Sequence, residues 1–131
     1  MGDPISIAVS GLTAAGLRLD AAASNIANNQ DTAPTTPQAG DPPPYQPVDV
    51  VQHAAPGGGT HAEFRPVTPA SQAIFDPGSP FADASGNVLA PNTDIAQQLV
   101  NTNEASVSYD ANLKVVETAQ KMQGYLLNLF A

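Results

Sequence analysis

A chain of 131 residues holds one folding unit at most, which excludes a large multi-domain enzyme. Twelve acidic residues against four basic ones give a formal net charge of -8 at pH 7, so a positive surface for phosphate backbones is excluded, and nucleic acid as a partner with it. Cysteine is absent, which removes disulfides, thiolate nucleophiles and Cys-based metal sites.

The opening residues Met1-Gly2-Asp3-Pro4 offer neither a positive n-region nor an apolar h-region, and no run of about 18 continuous apolar residues follows. The expectation is a chain without a cleaved secretory signal and without direct membrane insertion. Gly2 and Ser6 match a myristoylation pattern that chance supplies often. Twelve of the thirteen prolines lie between Pro34 and Pro91, so both flanks can be helical and the middle cannot.

The first flank, residues 4–30, begins with an acceptor at N-cap, Asp3, and a proline at N1, Pro4, where its missing N–H costs nothing. Ile5, Ala8, Leu12, Ala15, Leu19, Ala22 and Ile26 then follow a strict 3,4 alternation, which places them on one stripe of a helix. Arg18 and Asp20 are the only charges between Pro4 and Gln30. Small uncharged residues all round suit a helix that touches protein on several sides.

The middle, residues 31–91, reads as extended chain and turns, with Pro42-Pro43-Pro44 and two Pro-Gly steps. Tyr45–His53 and Thr60–Val67 flank Gly57-Gly58-Gly59 and predict one β-hairpin. The last flank, residues 92–131, carries a capping-box arrangement of Asp94 and Gln97 and predicts a helix to about Phe130. Asp110, Lys114, Glu117 and Lys121 form a wet stripe with acid-to-lysine i,i+4 pairs. Tyr109, Leu113, Val115, Val116, Ala119, Met122, Leu126, Leu127, Leu129 and Phe130 spread too widely for one partner helix to cover. The expected fold class is therefore mainly α: N- and C-terminal helices paired as a coiled coil, with a Pro/Gly-rich extended middle containing a hairpin.

Nothing in the sequence assembles a catalytic, cofactor or metal site. His53 and His61, with Asp49 and Glu63 nearby, sketch a weak metal site on the hairpin but lack the spacing of a ligand set. No nucleophile elbow is present, and Gly57-Gly58-Gly59 lacks the Lys-Ser or Lys-Thr of a phosphate loop.

The run from Ser10-Gly11-Leu12 through Arg18-Leu19-Asp20 to Ser24-Asn25-Ile26-Ala27-Asn28, followed by Thr32, resembles the N-terminal signature of bacterial flagellar rod, hook and related axial proteins. Phe75 to Val88 and Pro91-Asn92-Thr93-Asp94 resemble the stretch before the C-terminal helix in the proximal-rod members of that family. Tyr109, Asn112, Val115, Thr118, Ala119 and Met122 resemble that helix itself.

The resemblance implies a structural subunit without enzymatic activity. Its terminal helices would pair and stack with copies of itself and with other rod proteins in a periplasm-spanning shaft that transmits torque. It also implies passage through the flagellar type III export apparatus without a cleaved signal, and a membrane ring complex nearby. Ile5, Leu12, Leu19, Ile26, Tyr109, Leu113, Val116, Met122, Leu126, Leu127 and Phe130 are the candidate pairing and assembly residues. Leu12, Leu19 and Ile26 are expected against Leu113, Val116 and Leu127, while Arg18, Asp20, Asn25 and Asn28 are expected between subunits. The alternative is a rod-protein paralogue acting as an adaptor or binding module in flagellar export or assembly.

Overall fold

A computed structural model describes residues 3–129. The elements in chain order are α1 (Pro4–Ala27), β1 (Val48–Ala54), β2 (Thr60–Pro66), β3 (Ser71–Phe75), β4 (Asn87–Pro91) and α2 (Ile95–Leu129). Helix α1 starts as its sequence requires: the Asp3 carboxylate accepts from the Ile5 N–H at 3.3 Å, and Pro4 occupies the first turn. It ends where Asn28 turns back, its side-chain amide donating to the Ser24 carbonyl at 2.8 Å. Asp94 caps α2 by accepting from the Ala96 and Gln97 N–H groups at 2.9 and 3.3 Å.

The two helices pack antiparallel. As residue numbers rise along α1, their partners fall along α2: Gly11 faces Asn112, Arg18 reaches Glu104, and Asn25 reaches Gln98. Alanine dominates the seam, with Ala8, Ala15 and Ala22 buried on α1 and Ala105 on α2. Such small side chains let the backbones approach closely. At Gly11, even a methyl group would stand 2.5 Å from Asn112 Oδ1.

The register corrects one expectation. Leu19 lies level with Glu104, so Val116 is twelve positions away, or about 18 Å along the axis at 1.5 Å per residue. Within the chain Leu19 therefore lies level with none of Leu113, Val116 and Leu127, the set against which it was expected. Helical periodicity identifies a face but says nothing about which level of the partner it meets.

The predicted hairpin is present, with β1 and β2 antiparallel from Val48↔Pro66 to Ala54↔Thr60. Its turn uses positive φ at Gly57, Gly58 and Gly59, a backbone that residues with a Cβ avoid. The tip folds onto α1, where the Thr60 N–H donates to Ser10 Oγ at 3.0 Å and Gly58 lies beside Ile7. The hairpin thus lies along one side of α1 while α2 occupies another.

The expectation of a mainly α molecule with an extended middle is overturned by a second antiparallel sheet, β3 with β4, registered from Ser71↔Pro91 to Phe75↔Asn87. Ala33 adds a bridge to the free edge of β4, exchanging backbone hydrogen bonds with Leu89 at 2.9 and 2.8 Å. One face of β4 is enclosed, with Val88 fully buried and Ala90 buried beside it, while Asn87 and Leu89 on the other face are half-buried and Pro91 is buried at the strand's end. The middle can therefore order itself by satisfying its backbone between residues far apart in sequence.

Helix α1 also departs from the sequence reading in hydropathy. Its most apolar 18-residue window has a mean hydropathy of 1.2, long and apolar enough by composition to cross a bilayer. Isoleucine, valine and leucine supply most of that value, whereas the buried positions of α1, which packs against α2 and the hairpin, are chiefly alanines: Ala8, Ala14, Ala15, Ala21 and Ala22. The fully buried larger side chains are Val88, Asn25 and Pro47, so large hydrophobes contribute little to the interior of the isolated chain.

Candidate assembly interface

The large apolar side chains lie mostly outside that interior. On α2, Leu99, Val100, Val107, Tyr109, Leu113, Val115, Met122, Tyr125, Leu126 and Leu129 are all exposed. The reason is geometric: α1 covers one side of α2, through Gln98, Ala105, Asn112, Val116 and Ala119, and those positions are mostly small or polar. Helix α2 is also longer, 35 residues against 24. The first turn of α1 meets α2 near Thr118 and Ala119, so the ten residues that follow on α2 run past the start of α1 by about 15 Å. Met122, Tyr125, Leu126 and Leu129 are exposed on this overhang, Tyr125 at 73% and Leu129 at 79%. At its base, Pro4, Ile5, Val115, Ala119 and Met122 line an apolar groove of about 490 Å³.

Of the candidate pairing residues, Ile5, Leu12, Leu19, Ile26 and Val116 are half-buried, whereas Tyr109, Leu113, Met122 and Leu126 are exposed. Phe130 lies outside the described residues, and the Leu127 side chain does also.

The signature residues divide by role. Ser10 holds the hairpin tip, Gly11 admits Asn112, and Arg18 forms an ion pair with Glu104 at 2.9 Å. Ser24 Oγ lies 2.8 Å from the Tyr45 hydroxyl. Asn25 is 1% exposed and Asn28 caps its own helix, so the expectation of both at subunit contacts gives way to roles within the chain. Asp20 and Ala27 are exposed. Asn112 Nδ2 and Thr118 Oγ1 each donate to the carbonyl one helical turn earlier, at 2.8 Å in both cases.

The wet stripe of α2 is present with a different pairing: Lys114 Nζ meets Glu117 Oε2 at 2.9 Å, an i,i+3 contact. This lysine holds the Glu117 carboxyl below its ordinary value, by hydrogen bonding and by charge. His53 and His61 are direct cross-strand partners, both exposed, and His53 Nε2 lies 3.8 Å from Glu63 Oε1. Among the described residues no group of three or more His, Asp or Glu side chains is arranged to hold a metal ion.

A paired set of terminal helices, thinly filled inside and apolar outside, defines a protein built to be covered by other protein. Residues 84–129 match the family described as flagellar basal body rod FlgEFG protein C-terminal. The chain is 42% identical over 129 residues to the flagellar basal-body rod protein FlgC of Escherichia coli O6:H1, covering 94% of this chain and 92% of that one. It is 41% identical over the same length to FlgC of Salmonella typhimurium, with the same coverage. It is 30% identical over 119 residues to FlgC of Aquifex aeolicus, covering 90% and 88%. The chain belongs to the FlgC family of flagellar basal-body rod proteins.

Proposed function

We propose that the chain is a structural subunit of the flagellar basal-body rod that self-assembles through its terminal helices, and that its role is mechanical rather than catalytic. The observation that carries this reading is the overhang of α2, where Tyr125, Leu126 and Leu129 have no covering element among the described residues. Burying such side chains contributes about 1.5–3 kcal/mol each. Copies of the chain and other rod proteins supply the cover, and the candidate pairing residues from Ile5 to Phe130 make up the contact surface.

On this reading the rod crosses the periplasm and carries torque from the membrane ring. The chain reaches it through the flagellar type III export apparatus, without a cleaved signal. An alanine seam favours that task, because closely approaching backbones with short side chains leave little freedom for a helix pair to shear.

The test is a strain lacking the gene. Loss of swimming, together with the protein's presence in purified basal bodies of the parent strain, is the expected result. Normal swimming with the protein absent from basal bodies would instead favour an adaptor related to the rod proteins.

A further inference from the structure

The chain has only two arginines, 47 positions apart, and the fold brings both to one cleft. Arg18 of α1, Asp49 and Gln52 of β1, Arg65 of β2, and Gln98 and Asn101 of α2 line a polar opening of about 370 Å³ between the hairpin and the helix pair. Donors and acceptors both line it: Asp49 and Gln52 bring acceptor oxygens, while the two α2 amides keep their N–H₂ groups free among the described residues. Gln98 is 8% exposed and its Oε1 already accepts from Asn25 Nδ2 at 3.3 Å, yet its Nε2 has no partner among the described residues. Asn101 repeats the pattern, with Oδ1 taken by Gln97 Nε2 at 3.1 Å and Nδ2 left over. Arg18 is held in place by Glu104 at 2.9 Å. Arg65 makes no ion pair among the described residues, although Asp49 stands opposite it across the hairpin. Arg65 and the side-chain amides of Gln98 and Asn101 thus line one opening, with the acceptor oxygens of both amides already occupied.

We propose that this cleft is a socket for a carboxylate side chain from a second copy of this chain, with Arg65 as its charged ligand and Gln98 and Asn101 as flanking donors. Charge selects the occupant. A subunit of net charge -8 is repelled by its own copies, and an arginine cleft facing a neighbour's aspartate or glutamate offsets that repulsion where the two meet. Asp49, inside the lining, disfavours a polyanion and leaves room for one monovalent carboxylate, whose binding it weakens. This assignment rests on the chain's assembling with its copies in the rod.

The experiment is sedimentation of the purified full chain at low ionic strength, comparing wild type with Arg65→Gln and Asp49→Asn. Both positions sit on the hairpin surface, and circular dichroism checks that each variant keeps its helix content. Arg65→Gln is expected to weaken self-association on the order of tenfold, and Asp49→Asn to strengthen it. At about 0.5 M salt, where screening extends only a few Å, the differences should shrink. A wild type that stays monomeric, unchanged association in Arg65→Gln, or both variants shifting in the same direction would each overturn the socket. Unchanged self-association with lost swimming in Arg65→Gln would overturn the second copy as occupant. Swimming of the gene-deletion strain tests the rod role separately.

Discussion

The Asn25 side chain serves the backbone of Val48 in both directions: Nδ2 donates to its carbonyl at 2.8 Å and Oδ1 accepts from its amide at 3.0 Å. The second N–H reaches Gln98 Oε1 at 3.3 Å, and Oδ1 also accepts from the Tyr45 hydroxyl at 3.1 Å. Both donors and both acceptor positions of one buried amide are thus filled. The four bonds join α1, the chain entering β1, and the first turn of α2. One side chain therefore positions the hairpin and sets the helix register at that end.

Asn25→Ala should destabilise the fold by roughly 2–4 kcal/mol, because it removes four hydrogen bonds at once and leaves the part-buried Val48 amide and carbonyl without their partner. Ser24→Ala removes only one contact with the Tyr45 hydroxyl and should cost about 1 kcal/mol or less. Urea denaturation of the two variants gives the comparison. Equal midpoints would contradict the hub role of Asn25.

Gly11 tests the closeness of the seam. A methyl group there would stand 2.5 Å from Asn112 Oδ1 and 2.7 Å from Cγ, and the Asn112 amide is anchored to the Ser108 carbonyl at 2.8 Å. Gly11→Ala should therefore lose about 1–3 kcal/mol through overpacking, despite alanine's better helix propensity. Shortening the obstacle with Asn112→Ala in the same chain should return part of the loss. A double-mutant cycle with no coupling energy would mean that these two residues do not press on each other.

The parts legible in the sequence were those governed by local rules. Asp3-Pro4 and Asp94 mark helix starts through capping chemistry, and three glycines between β-prone runs mark a hairpin. The β3–β4 sheet escaped because its pairing is nonlocal: eleven residues separate Phe75 from Asn87, no short turn signal joins them, and β4 ends on Pro91. Ala33, which adds to the same sheet, is distant again. Asn25 was visible as part of a signature, but nothing local distinguishes an asparagine that bonds a neighbouring strand from one that meets another subunit. The arginine cleft was invisible for a related reason: Arg18 and Arg65 meet only after the hairpin has folded along α1.

Acid should loosen the turn between β3 and β4. The Asp83 carboxylate accepts from the N–H groups of Asn87 and Ser85 at 3.0 and 2.8 Å and from Thr35 Oγ1 at 3.1 Å, and these bonds hold its carboxyl below the ordinary value of 3.8. Because the folded-state value is the lower one, the stabilisation is fully present above the unfolded value. It is lost as pH falls through the folded value. Hydrogen exchange at the Ser85 and Asn87 amides, corrected for the intrinsic pH dependence, should lose protection in that acid range in the wild type. Asp83→Asn should remove most of this acid dependence. Identical pH profiles in the two proteins would show that Asp83 does not govern the turn.

The overhang of α2 separates folding from assembly. Leu129 is 79% exposed and Tyr125 73%, so replacing either with aspartate removes almost no packing inside the chain and should change its stability by no more than about 0.5 kcal/mol. In a rod, the same substitution places an unpaired carboxylate against a neighbour's apolar surface, at a cost of several kcal/mol. Tyr125→Asp and Leu129→Asp should therefore leave thermal unfolding of the isolated protein unchanged while abolishing swimming. Leu19→Asp, at a half-buried position beside the helix seam, should impair both. If the overhang variants swim normally, the apolar end of α2 is not an assembly contact. If they instead unfold at lower temperature, it packs within the subunit, and its exposure is not what couples one subunit to the next.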